Sequence, residues 1–197
     1  MAEQDSTHQD ARSGRRDFFR LGLARMVRPL AGYIESHVDL TGLRLYLRPP
    51  GALPEKQFLQ TCYRCGNCVH ACPVHAIQPL RGLDENLDGT PNIDPDVAAC
   101  VACENVECTR ACPSGALRLL SDRRKIRMGL AHAERRLCLR TRGEDCVICV
   151  EKCPIGNEAI RVGEAGRIEV IASGCVGCGT CQLYCPTRPK SIQVHIA

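Results

Sequence analysis

Sixteen of the 197 residues are cysteine, and they fall into four tight groups whose spacing limits what they can bind. Group one is Cys62, Cys65, Cys68 and Cys72, with Pro73 following. Group four is Cys175, Cys178, Cys181 and Cys185, with Pro186 following. Both reproduce the run in which three closely spaced thiolates cap one [4Fe–4S] cubane while the fourth, ahead of a proline, reaches the neighbouring cluster. Group two (Cys100, Cys103, Cys108, Cys112) and group three (Cys138, Cys146, Cys149, Cys153) each lengthen one gap but keep the final x3-Cys-Pro. Cysteines two residues apart face one point, which suits a metal centre and strains a disulfide. Zinc sites also use Cys-x2-Cys pairs, but zinc gives no reason to repeat the x3-Cys-Pro ending.

Four complete groups therefore predict four [4Fe–4S] clusters held by all sixteen cysteines, with none left over. Each fourth cysteine must cross to a partner group, so the groups must pair. Regular spacing in groups one and four, and irregular spacing in two and three, predicts a nested map. Cys62, Cys65, Cys68 and Cys185 then hold one cluster, and Cys72, Cys175, Cys178 and Cys181 its neighbour. Cys100, Cys103, Cys108 and Cys153 hold the third, and Cys112, Cys138, Cys146 and Cys149 the fourth. The alternative pairs group one with two and three with four, because sequential elements often neighbour in space. His70 and His75 lie in or beside group one and read as surface or supporting residues, since every cluster already has four thiolates.

The elements that must position these groups are short. One unit recurs from Cys62 onward: a cysteine group, a proline, then a short segment ending in Ile or Leu. Ile160-Arg161-Val162 and Ile168-Glu169-Val170 alternate about a Gly-containing turn and predict a hairpin, and residues 192–196 alternate as a closing strand. Gly66, Gly177 and Gly179 let the backbone approach the clusters closely. The fold class is α+β: tandem bacterial-ferredoxin-like modules of short strands, short helices and long loops, with an N-terminal helical extension. The nested map divides the chain into residues 58–99 with 174–197 as a first module, and 100–173 as a second, inserted one. Residues 1–57 form a tail, an amphipathic helical segment and a stiff Pro-rich linker around Pro49-Pro50.

Composition agrees. Aromatics are 4% and Trp is absent, so a conventional core is poorly supplied and metal centres must act as staples. Net charge is +4 but uneven: residues 12–48 carry eight Arg, and 84–107 carry seven acids and no base. The chain is not strongly basic overall, which argues against nucleic acid. The Asp84-Glu85-Asn86 run mimics a calcium loop, but Pro95 stands where a bidentate Glu is required. No Gly-x-Gly-x-x-Gly turn or spare cysteine nucleophile is present, so the chain reads as an electron carrier without a small-molecule substrate. A redox-sensing or structural iron–sulfur module is the alternative.

At Arg15-Arg16-Asp17-Phe18-Phe19-Arg20 the chain is similar to a twin-arginine export signal. Arg25 and Arg28 interrupt the apolar stretch such a signal requires, which predicts an uncleaved leader and a cytoplasmic protein. Residues 15–38 offer an amphipathic face for the membrane surface or a partner. Periplasmic export through the twin-arginine segment is the alternative.

The run from Cys108 to Leu117, the Arg127-Met128-Gly129-Leu130-Ala131 segment, Gly89-Thr90-Pro91 and the x7 gap between Cys138 and Cys146 resemble the NapG/MauM-type ferredoxin-like proteins. That resemblance implies an electron-transfer subunit of a larger oxidoreductase system, with redox partners of the quinol-dehydrogenase or oxidoreductase kind.

Overall fold

A computed structural model describes residues 46–82 and 85–196, which lie in one unit spanning Thr41–Ala197. The twin-arginine segment and the amphipathic stretch at 17–38 fall outside the described residues. Secondary structure is sparse and short. Helix α1 (Glu55–Thr61) leads into group one, and α2 (Asn67–His70), α3 (Glu107–Arg110), α4 (Ile148–Glu151) and α5 (Thr180–Tyr184) are one-turn helices, one within each cysteine group. Such turns are too short to be stable alone, so the contacts they make must hold them.

Among the described residues three two-stranded antiparallel sheets accompany these helices. Strand β1 (Ile77–Pro79) pairs with β2 (Pro91–Ile93), and β4 (Ile160–Val162) with β5 (Ile168–Val170). Strand β3 (Gly129–Ala133) pairs with β6 (Ile192–Ile196), with Leu130 opposite His195 and Ala133 opposite Ile192. The β4–β5 hairpin and the closing strand stand where their alternation predicts. In the first half α2 packs on α3; in the second, α4 packs on α5 and β3 on β5.

Two observations bear on the expected organisation. Strand β3 lies inside the supposed inserted module and β6 in the enclosing one, yet the two pair along five residues. Cys100 N–H donates to the Cys178 carbonyl at 3.0 Å, and Met128 N–H, just before β3, to the Val176 carbonyl at 3.1 Å. The stiff Pro-rich stretch is itself packed in. Leu47 bridges Ile93, Ala52 bridges Leu117, and Leu47, Arg48, Pro49 and Pro50 are buried.

Arg48 explains that burial. Its side chain is fully enclosed, its Nε donates to both Glu55 carboxylate oxygens at 3.1 Å, and its Nη1 donates to the Thr90 hydroxyl and the Pro91 carbonyl at 2.9 Å. Its guanidinium lies 4.8 Å from the Phe58 ring centre. A buried cation is tolerated only when paired and hydrogen-bonded in this way. The pair ties the chain before α1 to β2.

Candidate metal centres

All sixteen cysteines are free thiols in the structure, and they line four separate cavities with four cysteines each. Cys62, Cys65, Cys68 and Cys112 face the first cavity. Cys72, Cys100, Cys103 and Cys108 face the second. Cys153, Cys175, Cys178 and Cys181 face the third, and Cys138, Cys146, Cys149 and Cys185 the fourth. Each cavity takes three cysteines from one group and the crossing cysteine of the adjacent group. Each cavity mixes cysteines of two groups, but not the groups that the nested map brings together. Cys112 rather than Cys185 joins Cys62, Cys72 rather than Cys153 joins Cys100, Cys153 rather than Cys72 joins Cys175, and Cys185 rather than Cys112 joins Cys138. The cause is local. Helix α2 packs on α3 and α4 on α5, so groups one and two exchange crossing cysteines, as do groups three and four.

The cavities follow one another in a row. Cys68 is near enough to Cys108 to raise its pKa, and Cys149 acts likewise on Cys181. The halves join at Cys100 and Cys178, where the Thr180 hydroxyl also donates to the Cys100 carbonyl at 3.0 Å. The order is therefore the Cys62, Cys100, Cys175 and Cys138 cavities. Cys65 at one end is exposed, while Cys72, Cys100 and Cys108 in one inner cavity and Cys178 and Cys181 in the other are buried.

The donor set fits iron–sulfur cubanes. Among the described residues no three His, Cys, Asp or Glu side chains converge tightly enough to hold a single ion. Zinc needs such convergence, with each sulfur about 2.3 Å from the metal. A four-iron cubane needs thiols ringing a larger volume, and each cavity is ringed in that way. Backbone amides also point at the sulfurs: Arg64 N–H at Cys62 Sγ (3.4 Å), Ala102 N–H at Cys100 Sγ (3.4 Å) and Ala76 N–H at Cys72 Sγ (3.3 Å). Aiming them costs strain. Arg64 and Ala102, each two residues after the first cysteine of its group, have φ of 54° and 44°, where a side chain costs about 1–3 kcal/mol. Gly177 occupies the same position in group four, and a side chain there would strike the Gly129 backbone of β3.

Without metal the buried thiols are poor acids. Burial, reinforced by neighbouring thiols, pushes Cys68 up to about 11 and Cys149 to about 12, and raises Cys108 and Cys181 as well. Burial takes Cys100 to about 12 against a lowering N–H from Ala102. Cys185 runs the other way. Burial acts upward on it, but the hydroxyls of Ser191 and Thr187, each 3.2 Å from its sulfur, bring it down to about 7. The sequence reading missed these hydroxyls. The signal was a hydroxyl residue next to the proline, at Thr187 after Pro186 and at Ser114 after Pro113, where the Ser114 hydroxyl lies 3.6 Å from Cys112 Sγ. His70 and His75 do not enter any four-cysteine set, although His70 borders the Cys62 cavity.

Free thiols gathered in fours, inside short elements with amides aimed at sulfur, define an iron–sulfur protein of ferredoxin type. Residues 61–116 match the 4Fe-4S dicluster domain family, a span that holds groups one and two together. The chain is 41% identical over 157 residues to the methylamine utilization ferredoxin-type protein MauM of Methylobacillus flagellatus, covering 75% of this chain and 67% of the relative. It is 40% identical over 174 residues to MauM of Methylorubrum extorquens, covering 84% and 78%. It is 36% identical over 200 residues to the ferredoxin-type protein NapG of Escherichia coli, covering 92% and 85%. The chain belongs to this MauM/NapG family of ferredoxin-type proteins. It is an iron–sulfur electron-transfer protein and not an enzyme.

Proposed function

We propose that the chain holds four [4Fe–4S] clusters in two consecutive ferredoxin-like halves and relays single electrons along them between redox proteins of a larger oxidoreductase system. The observation that carries this reading is the row of four cavities, each ringed by four cysteines. The ligands are then Cys62, Cys65, Cys68 and Cys112; Cys72, Cys100, Cys103 and Cys108; Cys153, Cys175, Cys178 and Cys181; and Cys138, Cys146, Cys149 and Cys185. When bound, the cubanes supply one-electron chemistry, while the protein sets their potentials through hydrogen bonds to sulfur, charge and burial. Buried inner cavities insulate the path, and the more open Cys62 cavity, beside Tyr63 at 71% exposure, supports exchange with a partner at that end. Partners of the quinol-dehydrogenase or oxidoreductase kind are what the resemblance to NapG/MauM-type proteins supports.

The test is anaerobic purification with iron and acid-labile sulfide analysis, followed by electron paramagnetic resonance during stepwise reduction. About sixteen iron and sixteen sulfide per chain, with reversible signals that interact magnetically, are expected for four cubanes. Near-stoichiometric zinc would overturn the reading. Clusters that cannot be reversibly reduced would replace relay by a structural role.

A further inference from the structure

We propose that Lys190, together with the hydroxyls of Thr187 and Ser191, makes the Cys138/Cys146/Cys149/Cys185 centre the most oxidising of the four and so fixes the end of the chain at which electrons collect. The inference rests on the four-cluster reading above.

Lys190 is only 9% exposed, and its ammonium donates to the Leu183 and Cys185 carbonyls at 2.8 Å. Among the described residues no carboxylate pairs with it, and no Asp or Glu lines the Cys138 cavity. An unpaired buried cation costs several kcal/mol in most proteins. Here it is held on the backbone of a cluster-facing cysteine, where four thiolates around a cubane would supply the missing negative charge. Two hydroxyls reach the same cysteine's sulfur at 3.2 Å, Thr187 from two residues on and Ser191 from six. Arg188 adds a guanidinium contact to the Cys185 carbonyl at 3.2 Å.

The other crossing cysteines have fewer hydroxyls at sulfur. Cys72 receives the Ala76 N–H at 3.3 Å. Cys112 receives the Leu117 N–H at 3.4 Å, with the Ser114 hydroxyl at 3.6 Å. No hydroxyl residue follows Pro154 in the segment Cys153-Pro154-Ile155-Gly156. Beside the Cys100 cavity the charge is reversed, because the Glu107 carboxyl hydrogen-bonds Cys103 and its buried Oε2 has no partner among the described residues.

Reduction adds one negative charge to a centre. Cations and donors near sulfur therefore favour the reduced form and raise the potential, and a carboxylate lowers it. A buried cation acts through a low dielectric, whereas the exposed Arg64 near Cys62 is screened by water and salt. Lys190, Thr187 and Ser191 thus hold at this end each electron that the neighbouring Cys175 centre gives up, the one being reduced as the other is oxidised.

The reconstituted full-length chain is titrated between poised reductants with electron paramagnetic resonance as the readout, which reports midpoints rather than activity. The highest-potential wave is expected to be the one lost in Cys146→Ser. Lys190→Met should move it to lower potential without loss of iron, and Lys190→Arg should return it. Thr187→Val with Ser191→Ala should move the same wave downward and serves if Lys190→Met fails to fold, since Lys190 also caps the carbonyls at the end of α5. A highest wave that survives Cys146→Ser overturns the proposal. So do unchanged midpoints in loaded variants, which would leave Lys190 a capping residue only. A wild-type chain that binds no iron overturns the four-cluster reading itself.

Discussion

Cysteine position, not cysteine number, decides which thiols act together. Cys112 reaches the Cys62 cavity because α3 packs on α2, and Cys185 reaches the Cys138 cavity because α5 packs on α4. Replacing one ligand of a cubane with serine should remove or convert one cluster and leave the others. Cys112→Ser is therefore expected to abolish the same spectral component as Cys65→Ser, and Cys185→Ser the same one as Cys146→Ser. Electron paramagnetic resonance of the four reduced variants checks this, and shared loss between Cys185→Ser and Cys65→Ser would restore the nested map. That nested map shows where the residues stop informing. The x3-Cys-Pro ending says that a cysteine crosses, but it does not say to which group. Regular spacing is no sign of partnership, because spacing within a loop reflects only how that loop wraps its own cluster.

Among the elements, the cysteine loops of groups one and two carry positive φ at Arg64 and Ala102 where they aim amides at sulfur, and what such a position tolerates depends on what lies behind it. Ala102 and Gly177 occupy equivalent positions with φ of 44° and 69°. Gly177→Ala adds a methyl against the Gly129 backbone in β3 as well as the cost of positive φ, so a loss of roughly 2 kcal/mol or more is expected. For a unit of about 150 residues that is roughly 4–8 °C in the temperature of cluster loss, followed by visible absorbance. Ala102→Gly relieves strain and should shift that temperature far less. The Arg48–Glu55 pair gives a second test. Arg48→Ala strands a buried carboxylate and should cost about 3–5 kcal/mol, whereas Arg48→Met with Glu55→Leu removes both charges and should cost much less. Chemical denaturation of the loaded chain with each variant separates the two. These elements were unevenly legible. The β4–β5 hairpin and the closing strand announced themselves because branched apolar residues alternate with polar ones beside glycine. Strand β3 did not, because Gly129, Ala131 and Ala133 carry little side chain and owe their strand conformation to β6. Pro49-Pro50-Gly51 has the composition of a linker, and its burial comes from Arg48, whose partners at Glu55, Thr90 and Pro91 no local pattern reveals.

On the scale of the whole molecule, the cavities are both the core and the site. Cys68, Cys72, Cys100, Cys108 and Cys178 belong to one buried cluster with Phe58, Ile77, Ile93 and Met128, and Cys181 and Cys185 to a second with Ile160 and Ile192. A chain with 4% aromatics has little else to bury, so metal binding and folding are coupled through these residues. The protonation state of the thiols then sets how loading depends on pH. Cys68 at about 11 and Cys100 and Cys149 at about 12 are held neutral by burial in the metal-free fold, and iron binds the thiolate. Loading must expel those protons, so reconstitution should improve as pH rises from roughly 6.5 to 8.5. The metal-free fold has the opposite sign. A thiol whose folded pKa lies above its unfolded value of 9.0 stabilises the fold fully below that value. That contribution is lost as pH climbs from about 9 through 11 and 12. Any residual structure of the metal-free chain should therefore melt with alkali while the loaded chain, its thiolates already committed to iron, holds. Circular dichroism of both forms across that interval, beside iron release, checks the pair of signs. Equal alkaline sensitivity would mean that the cysteines do not carry the stability of the core.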